Sequence, residues 1–162
     1  MVYGCREQAF GWTKTFMDTF KMYLTPEISE DIYCYNLALL HFSKKEFEET
    51  LALMLNHSFT EKNQPKTRLT IIRTLFELFL LDGDYLEVLN TNIQSFEIFI
   101  SRNTFFKKNA LKPYLNCIQV IRGLAKRLSD KEDIAKIRVW LSNQTQSKAE
   151  IIAINWLLEK VN

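Results

Sequence analysis

Leu75-Phe76-Glu77-Leu78-Phe79-Leu80-Leu81-Asp82-Gly83-Asp84-Tyr85 joins an apolar helical run to a tight polar turn and an aromatic residue. A second helix follows, with Leu89 four places on and then Asn92. The same order occurs once earlier. Leu37-Ala38-Leu39-Leu40-His41-Phe42-Ser43-Lys44-Lys45-Glu46-Phe47 leads to Leu51 and Met54, which puts Phe47 and Tyr85 at equivalent points 38 residues apart. A spacing of that size belongs to solenoids built from helix pairs. It predicts an all-α chain of stacked antiparallel helical hairpins, with Phe47 and Tyr85 buried at matching positions.

Upstream, Ala9, Trp12 (or Thr13), Phe16, Phe20 and Tyr23 make an apolar stripe at helical spacing over residues 6–24. Thr25-Pro26-Glu27 then reads as a helix start: threonine at the N-cap, proline at the first helical position, an acid in the first turn. That helix runs to about Ser43, and the next covers residues 47–56. A polar loop from His57 to Pro65 precedes a fourth helix over 66–81. Asp82-Gly83-Asp84 predicts a left-handed Gly83 ending the fourth helix and an Asp84 cap on the fifth, over 85–102. A sixth helix is expected over 110–128 with Pro113 in its first turn. Ser129-Asp130-Lys131-Glu132 and Ser147-Lys148-Ala149-Glu150 fit capping boxes for two short helices near 130–142 and 148–161. The expectation is about eight helices in a single domain spanning 1–162, with hairpins at about 28–56 and 66–102 and further helices over 110–161.

The composition agrees. Of 162 residues, 47% are hydrophobic and 13% aromatic, enough to build a core, and the four glycines and three prolines are few for an all-β chain. No apolar run reaches the roughly 18–20 residues of a membrane span, and no secretory leader is apparent. Cys5, Cys34 and Cys117 form no CxxC pair and read as small buried side chains in a reducing compartment, which places the protein in the cytoplasm.

The paired helices resemble the tetratricopeptide repeat. Leu37-Ala38 and Lys45-Glu46-Phe47 match that family's places in the first copy, and Leu75 with Gly83-Asp84-Tyr85 in the second. Phe76, Thr50 and Val88 depart from its pattern of small residues. The chain is also similar to the C-terminal part of uncharacterised helical-repeat proteins of Bacteroidetes-type bacteria. The likeness is carried by the segment from Pro26 to Ala38, by Ser95-Phe96-Glu97-Ile98-Phe99-Ile100-Ser101-Arg102-Asn103 and by Pro113-Tyr114-Leu115-Asn116. These resemblances imply a short TPR-like α-solenoid in a bacterial protein and bring no activity with them.

Chemistry-bearing motifs are sparse. No nucleophile elbow, phosphate loop, dinucleotide glycine motif or HExxH occurs. His41 lies between Leu40 and Phe42 and reads as a packing residue; His57 reads as an imidazole at a helix end. Glu46, Glu48 and Glu49 suit a solvated helix start. No enzyme, metal or cofactor is expected. The favoured function is a protein-interaction or scaffold module. A peptide or partner helix would lie in the groove between first helices of successive pairs, with Asn36, Lys66 and Arg73 as candidate contacts.

Trp12, Phe16 and Phe20 are candidate contacts for upstream helices or a second copy of the chain. The alternative is a nucleic-acid-associated protein. Residues 27–61 hold seven acids and two bases, a net −5, whereas residues 107–138 hold nine bases and three acids, a net +6. Lys107, Lys108, Lys112, Arg122, Lys126 and Arg127 are the candidate basic patch. The whole-chain charge of +2 and the lack of a nucleic-acid-reading motif count against that alternative.

Overall fold

A computed structural model of the chain describes residues 9–147 and 150–161. Among them all regular structure is helical: α1 (Phe10–Phe20), α2 (Pro26–Ser43), α3 (Phe47–Asn56), α4 (Gln64–Leu81), α5 (Leu86–Arg102), α6 (Lys108–Ser129), α7 (Ile134–Ser147) and α8 (Ile154–Glu159). Short 3₁₀ turns sit at Lys21–Tyr23, Glu61–Asn63 and Gly83–Tyr85. The chain divides within α4 into two compact units, residues 1–78 and 79–162.

In the first unit, α2 starts as the residues dictate: Thr25 is extended at the N-cap and Pro26 occupies N1, where its missing N–H costs nothing. Thr25 makes no side-chain cap; the nearby Ser29 hydroxyl instead donates to the Lys21 carbonyl at 3.2 Å. Helices α2 and α3 form an antiparallel hairpin. Phe42 meets Phe47 edge to face, Thr50 Oγ1 donates to the Ala38 carbonyl at 3.3 Å, and Cys34 Sγ donates to Leu53 O at 3.7 Å. Ala38 and Thr50 are fully buried at the crossing, where small side chains let two backbones approach. Threonine is tolerated there because its hydroxyl is shared with the Glu46 carbonyl at 2.8 Å and is never orphaned. Ala38, Met54 and Phe59 form a core cluster, flanked by Cys34, Tyr35, Leu53 and Ile71.

The second unit is built on α5 and α6. Leu89, Ile93 and Phe96 line one face of α5, and Ile118, Ile121 and Leu124 one face of α6; all six are fully buried. Phe96 and Tyr114 meet edge to face, and Arg122 grips Glu97 with two bonds of 2.8 Å. Helix α7 packs back on α6 through Ile137, Leu141 and Trp140. Arg138 ties α7 to the far end of α8 through two bonds to the Val161 carbonyl, at 3.0 and 2.8 Å.

The turns depart from the expectation in an informative way. Gly83 does not take a positive φ; it opens a 3₁₀ turn, and an added Cβ would meet nothing within 4 Å. Asp82, not Asp84, is the capping side chain, accepting from Asp84 N at 3.1 Å. Tyr85 is half-buried where Phe47 is buried. Two left-handed positions fall instead at Lys45 (φ 65°) and Lys131 (φ 55°). Each sits in the same six-residue closure. Lys45 N–H reaches Phe42 O and Glu46 N–H reaches His41 O; Lys131 N–H reaches Leu128 O and Glu132 N–H reaches Arg127 O. This is the Schellman pattern, with a lysine where glycine is the usual residue.

Both closures carry the same side-chain latch. His41 Nδ1 bonds Glu46 Oε2 at 2.6 Å, and Arg127 bonds Glu132. Relieving the Cβ conflict of a left-handed lysine should outweigh the greater unfolded-state freedom of glycine. Lys45→Gly and Lys131→Gly are each expected to stabilise by about 0.5–1 kcal/mol. Urea denaturation checks this, and a lowered midpoint would contradict it.

Other helix boundaries are corrected as well. Helix α6 begins at Lys108, so Pro113 lies inside the helix and not in its first turn. Ser129 ends α6 and caps nothing downstream; the carboxylate of Asp133 takes Ala135 N at 2.9 Å and Lys136 N at 3.3 Å to start α7. Ser147 is the last residue of α7, and the final helix starts at Ile154 behind a left-handed Ala153. Residues 148 and 149 of that expected capping box lie outside the described residues.

Candidate functional site

Helices α2 and α4 lie side by side and run parallel, which the contacts between them establish. Tyr35 meets Lys66 and Thr70, and Phe42, two turns further along α2, meets Arg73, two turns further along α4. Lys66 Nζ stands 4.4 Å from the Tyr35 ring centroid and the Arg73 guanidinium 4.7 Å from that of Phe42. The Tyr35 hydroxyl shares a hydrogen bond with Thr70 Oγ1 at 3.4 Å.

All four side chains of these cation–ring steps are half-buried. Burial pushes the Tyr35 phenol up, against the Thr70 bond and the Arg73 charge. Burial also pulls the Lys66 ammonium down, with Asp31 opposing and Lys62 reinforcing. The result is a strip along α2 and α4 in which each ring face is covered by a cation.

At one end of this strip lies a denser polar cluster centred on Asp31, which is buried on α2. Its Oδ1 takes His57 Nε2 at 2.8 Å. Its Oδ2 takes Thr60 N at 3.0 Å, Thr60 Oγ1 at 2.6 Å and Asn63 Nδ2 at 2.6 Å. Burial alone would raise this carboxyl. The bonds from Thr60, Asn63 and His57 outweigh it and hold the group well below the usual carboxylate range. The cluster fixes the connection between α3 and α4 on α2. Phe59, held by the His57 ring at 4.4 Å, is thereby seated beside Tyr35.

Cys34 is unsuited to nucleophilic work. Burial, then the charges of Asp31 and Glu30, push its thiol up and keep it protonated. Among the described residues no group of three or more His, Cys, Asp or Glu side chains could hold a metal ion.

Of the residues singled out in the sequence, Lys66 and Arg73 are brought together on one strip with Tyr35 and Phe42. Asn36 is half-buried and lies about 100° round α2 from Tyr35. Trp12, Phe16 and Phe20 do form one stripe, with Trp12 60% and Phe20 49% exposed. His41 serves the α2–α3 turn and His57 the Asp31 cluster, while Glu46 is the acid of the His41 latch; Glu48 and Glu49 are exposed in the first turn of α3.

The basic segment is broken up. Arg122 is engaged by Glu97, and Arg127 by Glu132 and the Trp140 ring. Lys107, Lys112 and Lys126 are exposed, and the Lys108 side chain lies outside the described residues. Lys112 and Lys126 are about 21 Å apart along α6, more than twice the roughly 8 Å screening length at physiological salt.

Sequence reading missed Asp31, Thr60 and Asn63, whose partners lie far apart in the chain. It also missed Tyr35 and Phe42, for which the spacing of seven, matched by Lys66 and Arg73, was the available signal. No family model, no curated protein and no solved structure matches this chain. No helix among the described residues is long and apolar enough to cross a membrane.

Proposed function

We propose that the chain is a non-catalytic interaction module of the bacterial cytoplasm, one that takes an acidic peptide or partner helix along the α2–α4 strip. The observation that carries this reading is the parallel pair of helices with two cation–ring steps in register. Lys66 and Arg73 are about 10 Å apart along α4. That span suits carboxylates three residues apart in a polyproline-II peptide, which brings the same face round every three residues at about 3.1 Å each, or seven residues apart on a partner helix. Charge would guide the encounter, and the rings of Tyr35 and Phe42 would supply apolar contact. The Asp31 cluster would keep the strip's end rigid, so that little ordering cost falls on binding. Cys34 keeps a free thiol, in keeping with a reducing compartment.

Selection from a randomised displayed peptide library tests the reading. The native chain is expected to enrich acidic peptides, and the double variant Lys66→Glu/Arg73→Glu to bind them about tenfold or more weakly while keeping its circular dichroism spectrum. Enrichment of no acidic sequence, or binding undiminished in the double variant, would remove the basis of this proposal.

A further inference from the structure

The exposed face of α1 is a different surface, and what it lacks is as telling as what it carries. Trp12, Phe16, Phe20 and Tyr23 stack in series, with ring centroids 5.3, 4.3 and 5.7 Å apart. Thr13 and Met17, on the adjoining side of α1, are the residues the chain itself buries. Beyond the rings runs a row of small exposed residues, Gly11, Thr15 and Thr19. Thr15 Oγ1 donates to Gly11 O at 3.1 Å and Thr19 Oγ1 to Thr15 O at 2.8 Å. The hydroxyls of this row are therefore satisfied within the helix, and it can be dehydrated without orphaning a donor. The charges of α1, Lys14 and Asp18, pair with each other at 3.0 Å opposite the aromatic row and at the outer edge of the small-residue row, where Asp18 also takes the Tyr33 hydroxyl. Nothing charged interrupts the aromatic and small-residue rows.

From this geometry we infer that α1 pairs with α1 of a second copy of the chain, antiparallel across a two-fold axis at Phe16. The aromatic row is symmetric about that residue: Trp12 lies four places before it and Phe20 four after. A two-fold contact needs this property, because whatever residue i meets on the partner, the partner's residue meets in return. Trp12 then faces Phe20 of the other copy, twice, and Phe16 faces Phe16.

The area is sufficient. Trp12 is 60%, Phe20 49%, Met22 77% and Tyr23 73% exposed; at about 150–250 Å² per large side chain they leave roughly 500 Å² uncovered per copy. Doubled, and with the threonine row and the Met22 and Tyr23 side chains of the following turn all covered, the pairing buries at most about 1,200 Å², the lower edge of specific stable interfaces. A face with no charge gives an anionic membrane surface no basic residues to hold beside the rings. It likewise gives a charged partner nothing to select.

Sedimentation velocity from about 1 to 200 μM tests the inference, with a reversible monomer–dimer equilibrium expected in the micromolar range. Trp12→Ser/Phe20→Ser should weaken it by about tenfold or more with an unchanged circular dichroism spectrum. In a chain whose own cysteines are replaced by serine or alanine, Phe16→Cys should form a disulfide-linked dimer on mild oxidation and Lys14→Cys should not. A monomer throughout the range, a dimer indifferent to the double substitution, or cross-linking through position 14 in place of 16 would each overturn the proposal.

Discussion

Replacing Asp31 by asparagine is expected to cost about 2–4 kcal/mol, although the two side chains have nearly the same shape. The reason is the direction of the bonds. Three neighbours supply four bonds to the carboxylate: two from Thr60 and one from Asn63 converge on Oδ2, and His57, as the Nε2–H tautomer, donates to Oδ1. An amide presents one acceptor and one donor, so it must turn its NH₂ either on the three Oδ2 donors or on His57, which would then have to give up its Nε2 proton to accept. The loss should appear as a fall of about 6–12 °C in melting temperature at neutral pH. It should also carry a pH signature. A carboxyl held low in the folded state contributes stability that is present above its unfolded pKa of about 3.9 and is lost as pH falls toward the folded value. The native chain should therefore lose stability steeply below about pH 4, and the Asp31→Asn variant less so. Parallel acid limbs for the two proteins would show that the carboxylate is not held as described.

The helices that were legible owe their legibility to period. In α5, Leu89, Ile93 and Phe96 recur at spacings of four and three, and all three are buried. The Thr25-Pro26 start of α2 was legible because proline at N1 is a backbone constraint that needs no tertiary partner. The turn after α4 was misjudged for the converse reason. Asp82-Gly83-Asp84 has the composition of a left-handed stop, yet Asp82 draws Asp84 N–H into a 3₁₀ turn and the chain goes on into α5 with φ negative. Among the described residues the left-handed ones are two lysines and an alanine, Lys45, Lys131 and Ala153, whose identity carries no such signal. What the sequence did hold was a shared phrase, His41-Phe42-Ser43-Lys44-Lys45-Glu46 and Arg127-Leu128-Ser129-Asp130-Lys131-Glu132. In each, the cationic or imidazole side chain five places before the glutamate closes the latch. The Asp31 cluster had no local signature at all: its donors lie 26 to 32 residues downstream and meet it only once α2, α3 and α4 are packed.

Gly123→Ala in α6 is expected to destabilise by about 1–2 kcal/mol, and Gly123→Val by about 3 kcal/mol. At an ordinary helical site alanine would gain about 1 kcal/mol over glycine. Here an added Cβ would stand 2.7 Å from Cζ2 and 2.8 Å from Cη2 of Trp140, so the indole of α7 must move. It is not free to do so cheaply. The Arg127 guanidinium lies 4.7 Å from the ring and is itself held by Glu132 in the closure that ends α6. Glycine at 123 is thus the residue that lets α7 seat the Cζ2–Cη2 edge of its tryptophan against α6, and its value is packing room, since its φ is not left-handed. A double-mutant cycle isolates this cause. In a Trp140→Ala background the obstacle is gone, and Gly123→Ala should change sign, stabilising by about 1 kcal/mol through helix propensity alone. A Gly123→Ala substitution equally destabilising with and without the indole would place the cost elsewhere in α6.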